Sequence, residues 1–275
     1  MDEIVLTIPW DHEGIIRERP NRFLAIVDIP EIGVVGEKVH VHDPGRLKEL
    51  LFPGNRVRVR RMEGGHRKTK WDLIAARFFN EDREGKGGGG DRYDGSEHSE
   101  LSGDREEQWI LVHSGFHRYI AEAVLSNPRL SPVKGIKELR SEVKVGRSRI
   151  DFLAGLESGE RMYIEVKGCS LTMDGIALFP DAPTERGTRH LETLERLICE
   201  ETNHEPTTEA AVLILVLGPE ACCFSPNRPM DPKFARAFQK AREHGVRIHP
   251  VRFRLEDREL RFLGEIPVCE EAKNG

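Results

Sequence analysis

Arg149-Ile150-Asp151-Phe152-Leu153 and, after a short polar break, Tyr163-Ile164-Glu165-Val166-Lys167-Gly168 are the stretches on which the fold of this chain turns. Successive side chains of a strand point to opposite faces. Met162, Ile164 and Val166 are therefore expected to face a core, with Glu165 and Lys167 emerging together on the other side. Glu157-Ser158-Gly159-Glu160 between the two stretches is a natural hairpin turn. Antiparallel pairing then brings Asp151 towards Glu165. Two carboxylates on one sheet face repel unless a cation neutralises them, and hard oxygen ligands select Mg²⁺ or Mn²⁺. A lysine beside that cation can orient or help deprotonate a water, which is the equipment of metal-assisted phosphodiester hydrolysis. The plainer alternative is an exposed Glu–Lys pair beside an ordinary aspartate. Glu-x-Lys is common, but the aspartate on the preceding strand and the glycine that follows tilt the reading towards a site.

Immediately downstream, Gly175 to Gly187 holds two prolines, two acids and Arg186 where only a connection is needed. It reads either as a stiffened loop capped by Thr184 or as a loop presenting Arg186, Arg189 and His190 to phosphates at a helix N-terminus. Further out, apolar spacing predicts a helix over 188–201 on Leu191, Leu194, Leu197 and Ile198. Ala210 to Leu217 is a continuous apolar run that fits a strand buried on both faces. A helix over 234–244 closed by Gly245, and a strand over 246–253, follow. Upstream, strands are predicted over 138–145, 148–155 and 161–167. A helix over 114–126 is predicted to use Tyr119, Ile120, Ala123 and Val124 as its buried face. Alternating strands and helices make residues 109–275 an α/β domain with a mixed sheet, within a chain that is α+β overall.

Residues 1–80 read differently. Phe23–Ile29 and Lys38–His42 are strand-like, Pro44-Gly45 and Pro53-Gly54 are turns, and 46–51 suggests a short helix. In 55–61, Val57 and Val59 alternate with Arg56, Arg58 and Arg60. Several short strands around one helix suggest a small, partly open barrel of the OB type. Arg56, Arg58, Arg60, Arg61, Arg67, Lys68 and Lys70 face only Glu63 in the same stretch. Beside Trp71 they suit a groove that tracks phosphates and stacks bases, or alternatively a solvated barrel face. His40 and His42 are read as barrel-surface residues, since two histidines are weak evidence for a metal.

Between them, 81–108 is acidic and Gly-rich and reads as a flexible linker. Residues 81–107 hold ten acids against four bases, a local balance of −6; the whole chain carries −5, so the remainder is about +1. The acidic total therefore does not exclude a nucleic-acid partner. No apolar run is long enough to span a membrane, and Met1 to Trp10 lacks a basic signal region, so a cytoplasmic location is expected. The five cysteines lack Cys-x-x-Cys spacing, which argues against a disulfide framework or a zinc site. Cys222 and Cys223 are expected to be buried small hydrophobes.

Several strings carry a family resemblance. They are Asn21-Arg22-Phe23-Leu24-Ala25, Gly45-Arg46-Leu47-Lys48-Glu49-Leu50-Leu51, Pro53-Gly54 and Arg67-Lys68-Thr69. In the C-terminal part they are Ser148-Arg149-Ile150-Asp151-Phe152, Glu165-Val166-Lys167, Phe179-Pro180-Asp181-Ala182, Thr184-Glu185-Arg186-Gly187 and Asp231-Pro232 with Phe234-Ala235. The chain resembles the sugar fermentation stimulation protein (SfsA) family over nearly its whole length. That resemblance implies an OB-like N-terminal domain joined to a PD-(D/E)xK nuclease-like domain, and DNA binding without strong sequence preference. It maps the nuclease motif onto Asp151, Glu165 and Lys167, with Val166 as a further metal-ligand position. Glu122 is its candidate helix-borne glutamate, and Glu142 is the rival. Arg46 and Arg149 join the expected nucleic-acid contacts. The implied activity is a metal-dependent DNA endonuclease; the alternative is a non-catalytic DNA-binding regulator of sugar (maltose) metabolism genes. A homodimer is compatible with either. The chain departs from the family at 115–118, where Gly-Phe-His-Arg replaces an expected asparagine, and in its longer acidic linker.

Overall fold

The computed structural model describes residues 2–64, 67–78, 108–200 and 207–269. Its N-terminal strands are β1 (Glu3–Thr7), β2 (His12–Asn21), β3 (Leu24–Ile29), β4 (Val34–His40), β5 (Arg56–Arg61) and β6 (Trp71–Phe78). β2 to β6 close into a five-stranded barrel in the order β4-β3-β2-β5-β6, sealed where β4 runs parallel to β6 at Val39↔Trp71 and His40↔Asp72. Alternation fills it: Ala25, Val27, Ile29, Val39, Val57, Val59 and Leu73 are all fully buried. Gly14 lets β2 pass close to β3, since a Cβ there would lie 2.5 Å from Val27 Cγ1 and 2.8 Å from the Asp28 carbonyl oxygen.

Two expectations for this half are corrected. Residues 46–51 form a turn rather than a short helix: Leu47 adopts a left-handed φ of 45°, and the N–H groups of Leu50 and Leu51 both donate to its carbonyl. A single turn cannot offset the cost of helix nucleation, and burial of Leu47, Leu50 and Leu51 fixes the segment instead. β1 also lies outside the barrel and pairs antiparallel with the strand nearest the C-terminus.

The remaining elements are β7 (Gln108–Leu111), α1 (His117–Ser126), β8 (Ile136–Val145), β9 (Ser148–Leu156), β10 (Arg161–Cys169), β11 (Thr172–Met173), β12 (Ile176–Phe179), α2 (Glu185–Glu200), β13 (Thr208–Val216), β14 (Cys223–Pro226), α3 (Pro232–Glu243), β15 (Arg247–Glu256) and β16 (Glu259–Glu265). β8, β9 and β10 are antiparallel, β10, β13 and β15 are parallel, and β7 links β15 to β6. Barrel and mixed α/β sheet are thus one continuous 13-stranded surface. β13 is buried on both faces: Ala211, Leu213 and Leu215 join the core shared with α1 and the barrel, while Val212, Ile214 and Val216 join the core under α2 and α3.

α1 buries Ile120, Ala121, Val124 and Leu125, and leaves Tyr119 exposed. The expected face is therefore rotated, because β1 packs on this helix and its presence there was not legible in the local spacing. The cysteine expectation is also corrected. Cys223 and Cys269 form a disulfide across a Cα–Cα distance of 5.2 Å, tying β14 to the C-terminal segment, and Cys222 is exposed. The pairing spans 46 residues and leaves no spacing signature. Apart from Gln108, the linker expected at 81–108 lies outside the described residues. No helix among the described residues is long and apolar enough to cross a membrane.

Candidate active site

The hairpin β9–β10 sets the geometry. Its ladder ends on the pair Phe152 and Ile164, and one residue beyond it Asp151 and Glu165 come close enough for the Glu165 charge to act on Asp151. The Val166 N–H donates to Asp151 Oδ2 at 2.7 Å, holding the aspartate against β10. Met162, Ile164 and Val166 pack into the core on the α1 side, and Glu165 and Lys167 point towards α2. Glu165 is only 2 % exposed, which removes the plain surface ion pair as a reading of Glu-x-Lys. Its Oε1 accepts from Lys167 Nζ and is hydrogen-bonded to His190 Nδ1 on α2. Its Oε2 is buried without a hydrogen-bond partner.

Electrostatics divide the two carboxylates. Burial, reinforced by the neighbouring Glu165 charge, raises Asp151 above the ordinary carboxylate range. Burial acts on Glu165 in the same direction, but Lys167 and His190 outweigh it and hold Glu165 below its usual value. Glu165 is the settled anion and Asp151 the one that resists charge.

α2 delivers His190 because its start is fixed. Thr184 Oγ1 accepts from the Gly187 N–H at 3.0 Å and caps the helix. The Thr184 N–H donates in turn to Asp231 Oδ2 at 2.8 Å, and Asp231 also caps α3 through Lys233 and Phe234. The expectation that His190 faces phosphate is corrected: it is buried and spent on Glu165.

Asp151, Glu165, Val166 and Lys167 line a cavity of about 440 Å³ at the seam between barrel and sheet. Arg22, Arg118 and Arg186 are exposed at its lining and give the acidic centre a basic surround. Asp43 and Gly45 enter from the barrel, and the Leu47 N–H donates to Asp181 Oδ2 at 3.0 Å, fastening the barrel turn to the 175–187 loop. Burial, with the Asp181 carboxylate adding, pushes Asp43 up to about 6. His117, at the start of α1, also lines the cavity and lies flat on Gly168, where a Cβ would meet its Cε1 at 2.1 Å. Burial, together with His113, His42 and Lys167, pushes His117 down to about 4, so it is neutral at pH 7. Arg22, Asp43, His117, Arg118 and Asp181 were not foreseen as site residues. The departure at 115–118 was the one local signal pointing to His117.

The other expected residues are dispersed. Glu122 is exposed on α1 and does not line the cavity. Glu142, on β8, is exposed and ion-paired at 3.7 Å with the exposed Arg149. Arg189 and Arg46 are exposed away from the lining. Arg58 is corrected as a phosphate contact: it is 6 % exposed, sits 4.6 Å from the Trp10 ring centre and 4.1 Å from that of Trp109, and donates to the Asp257 carbonyl at 2.6 Å. Arg56 engages Glu13, and Arg60 is half-buried. Lys68 is exposed beside a second depression on the barrel.

Among the described residues no group of three or more His, Cys, Asp or Glu side chains could hold a metal. That excludes an all-protein cage there. It does not conflict with Mg²⁺, which keeps several waters and needs only one or two carboxylates. The unpartnered Glu165 Oε2 next to Asp151 fits that modest donor set.

Residues 18–81 match the SfsA N-terminal OB domain, and residues 115–259 match the sugar fermentation stimulation protein RE domain. The sugar fermentation stimulation protein homolog of Methanococcoides burtonii is 40 % identical over 99 % of this chain and 98 % of its own length. That of Methanothermobacter thermautotrophicus is 42 % identical over 85 % of this chain and 82 % of its own. The solved structure of Pyrococcus furiosus SfsA in complex with Ca²⁺ superposes with a TM-score of 0.77 at 23 % identity, covering 98 % of this chain and 100 % of that one. On this match of both halves, the chain belongs to the sugar fermentation stimulation protein (SfsA) family.

Proposed function

We propose that this chain is a divalent-metal-dependent nuclease of the PD-(D/E)xK type that hydrolyses phosphodiester bonds in DNA without strong sequence preference. The observation that carries this reading is the buried, unpartnered Glu165 Oε2 placed beside Asp151, with the Lys167 ammonium next to it. Asp151 and Glu165 would hold Mg²⁺ or Mn²⁺, with the Val166 carbonyl as a third oxygen. The ion, when bound, would polarise the scissile phosphate and lower the pKa of a water. Lys167 would orient that water and place positive charge where the pentacoordinate transition state gathers negative charge. His190 fixes the Glu165 carboxylate through Oε1, which leaves Oε2 directed towards the ion's position. Arg22, Arg118 and Arg186 bind flanking phosphates. In this scheme the barrel, within 1–80, delivers substrate to the sheet domain of 109–275.

One observation favours the second reading, a DNA-binding regulator of sugar (maltose) metabolism genes without turnover. Lys167 and His190 already saturate Glu165 Oε1, so the site is partly neutralised from within. The relatives are named for sugar fermentation rather than DNA hydrolysis.

Single- and double-stranded DNA incubated with the protein in Mg²⁺, Mn²⁺, Ca²⁺ or EDTA separates the two. Cleavage in Mg²⁺ or Mn²⁺ that is lost in Asp151→Asn and Lys167→Ala, with DNA binding retained, supports the nuclease. Binding with no cleavage in any metal leaves the regulator.

A further inference from the structure

We propose that the depression bounded by Phe23, Lys38, His40, His42 and Lys68 on the barrel binds a single-stranded polynucleotide and hands it to the acidic cavity. The depression encloses about 720 Å³ and is lined by none of Arg56, Arg58 or Arg60. Its lining includes an aromatic ring in solvent: Phe23, just ahead of β3, is 43 % exposed. Lys38 and Lys68 are exposed on its walls, and neither has an ionic partner among the described residues. Arg67 is excluded from the argument, because it is already paired with Asp72. An exposed ring between unneutralised cations is the arrangement that stacks a base while the flanking phosphates are held.

Two bridges join this depression to the cavity. Phe23 lines the first and the adjacent Arg22 lines the second, with the Arg22 guanidinium 4.8 Å from the Phe23 ring centre. His42 lines the first; its Nδ1 lies 3.0 Å from Ser114 Oγ, which lines the second and donates back to the His42 carbonyl. Phe23 and His42 on one side, and Arg22 and Ser114 on the other, thus set the depression directly beside the cavity. The occupant is a strand rather than a duplex for two reasons. Paired bases hide the faces that Phe23 would stack on. A cavity of about 440 Å³ falls in the ~300–1,000 Å³ range of single-ligand sites, and so admits one nucleotide unit at a time.

The handover rests on the nuclease reading, whereas strand binding does not, and the test keeps them apart. Fluorescence anisotropy in EDTA, on an Asp151→Asn background, measures binding of 5′-fluorescein dT15 and rU15 and their competition by a blunt 15-base-pair duplex. Phe23→Ala is expected to weaken strand binding at least about five-fold, the lower end of one lost stack. Lys38→Glu with Lys68→Glu is expected to weaken it further and to flatten the log K against log salt slope by roughly 1.4, about 0.7 per phosphate. Loss in these variants on dT15, rU15 or both supports the site and says which sugar it accepts. Unchanged affinity and slope in variants of unchanged melting temperature, or a duplex that displaces the strand mole for mole, overturns it. Wild-type protein in Mn²⁺ with a flapped duplex then tests delivery: cutting confined to the arm, and lost in Phe23→Ala, supports it, while cutting of blunt duplex alone refutes it. Absence of cleavage on any substrate removes the nuclease reading and with it the handover, leaving the anisotropy result to stand or fall separately.

Discussion

Replacing Asp151 with asparagine is expected to stabilise the metal-free protein while abolishing its response to metal. Residues directly opposite on antiparallel strands have Cβ atoms about 5 Å apart. The β9–β10 ladder ends at Phe152↔Ile164, one residue before Asp151 and Glu165, and the Glu165 charge reaches Asp151, so a separation of about that size is taken. Two like charges at about 5 Å in an effective dielectric of about 20 repel by roughly 3 kcal/mol. Lys167 and His190 offset part of this, so Asp151→Asn should gain about 1–3 kcal/mol at pH 7. The asparagine Oδ1 can still accept the Val166 N–H, so no hydrogen bond is lost with the charge. At roughly 2–4 °C per kcal/mol for a chain of this size class, thermal unfolding in EDTA should rise by about 2–12 °C. The sign with pH follows from the raised Asp151. A carboxyl held above its ordinary value destabilises the fold fully above its folded pKa, and that penalty fades as pH falls through it towards the unfolded value. The advantage of the asparagine should therefore shrink on acidification. Saturating Mn²⁺ should reverse the order, since a ligand at a hundred times its Kd adds about 2.7 kcal/mol to the wild type. An Asp151→Asn protein that melts below wild type in EDTA at pH 7, or that gains as much from Mn²⁺, would refute the account of paired carboxylates awaiting a cation.

Three further outcomes are expected. Arg58→Ala should cost about 2–4 kcal/mol in urea unfolding, because it removes a guanidinium stacked between Trp10 and Trp109 and bonded to Asp257, whereas Arg60→Ala should stay within about 0.5 kcal/mol; equal effects would mean Arg58 is not a junction pin. Gly168→Ala should destabilise by about 1–3 kcal/mol by driving a methyl into the His117 ring, and His117→Ala in the same chain should recover most of that; an additive double variant counts against the contact. Asp43→Asn should stabilise by up to about 3 kcal/mol at pH 8 and by nothing below about pH 4, since the penalty of charging Asp43 builds as pH rises from its ordinary value and is complete above its raised value near 6; a pH-independent gain would remove that cause.

Much of the site's first layer could be read locally because strand alternation is a property of adjacent residues. Asp151, Glu165 and Lys167 share the neighbourhood that their hairpin predicts. The same alternation misassigned Arg58. Its strand period places it outside the barrel, and it does lie there, but the turn between β15 and β16 and two tryptophans from distant segments cover that outside. His190 failed for a related reason: helical spacing located it at the start of α2, while the choice between facing phosphate and facing Glu165 was made by how α2 lies over β13 and β9.

By itself the sequence determined the main strands and helices of the C-terminal half, the barrel of the N-terminal half, the hairpin carrying the acidic motif and the family that these strings share. Each depends on periodicities and turns confined to a few neighbouring residues. Only the tertiary structure decided that β1 pairs with β16, that Cys223 meets Cys269, that Asp43 and His117 reach the cavity, and which arginines are still free to meet a phosphate. Those outcomes depend on surfaces from remote segments meeting one another, and burial, desolvation and charge pairing are set by that meeting rather than by any residue's immediate neighbours.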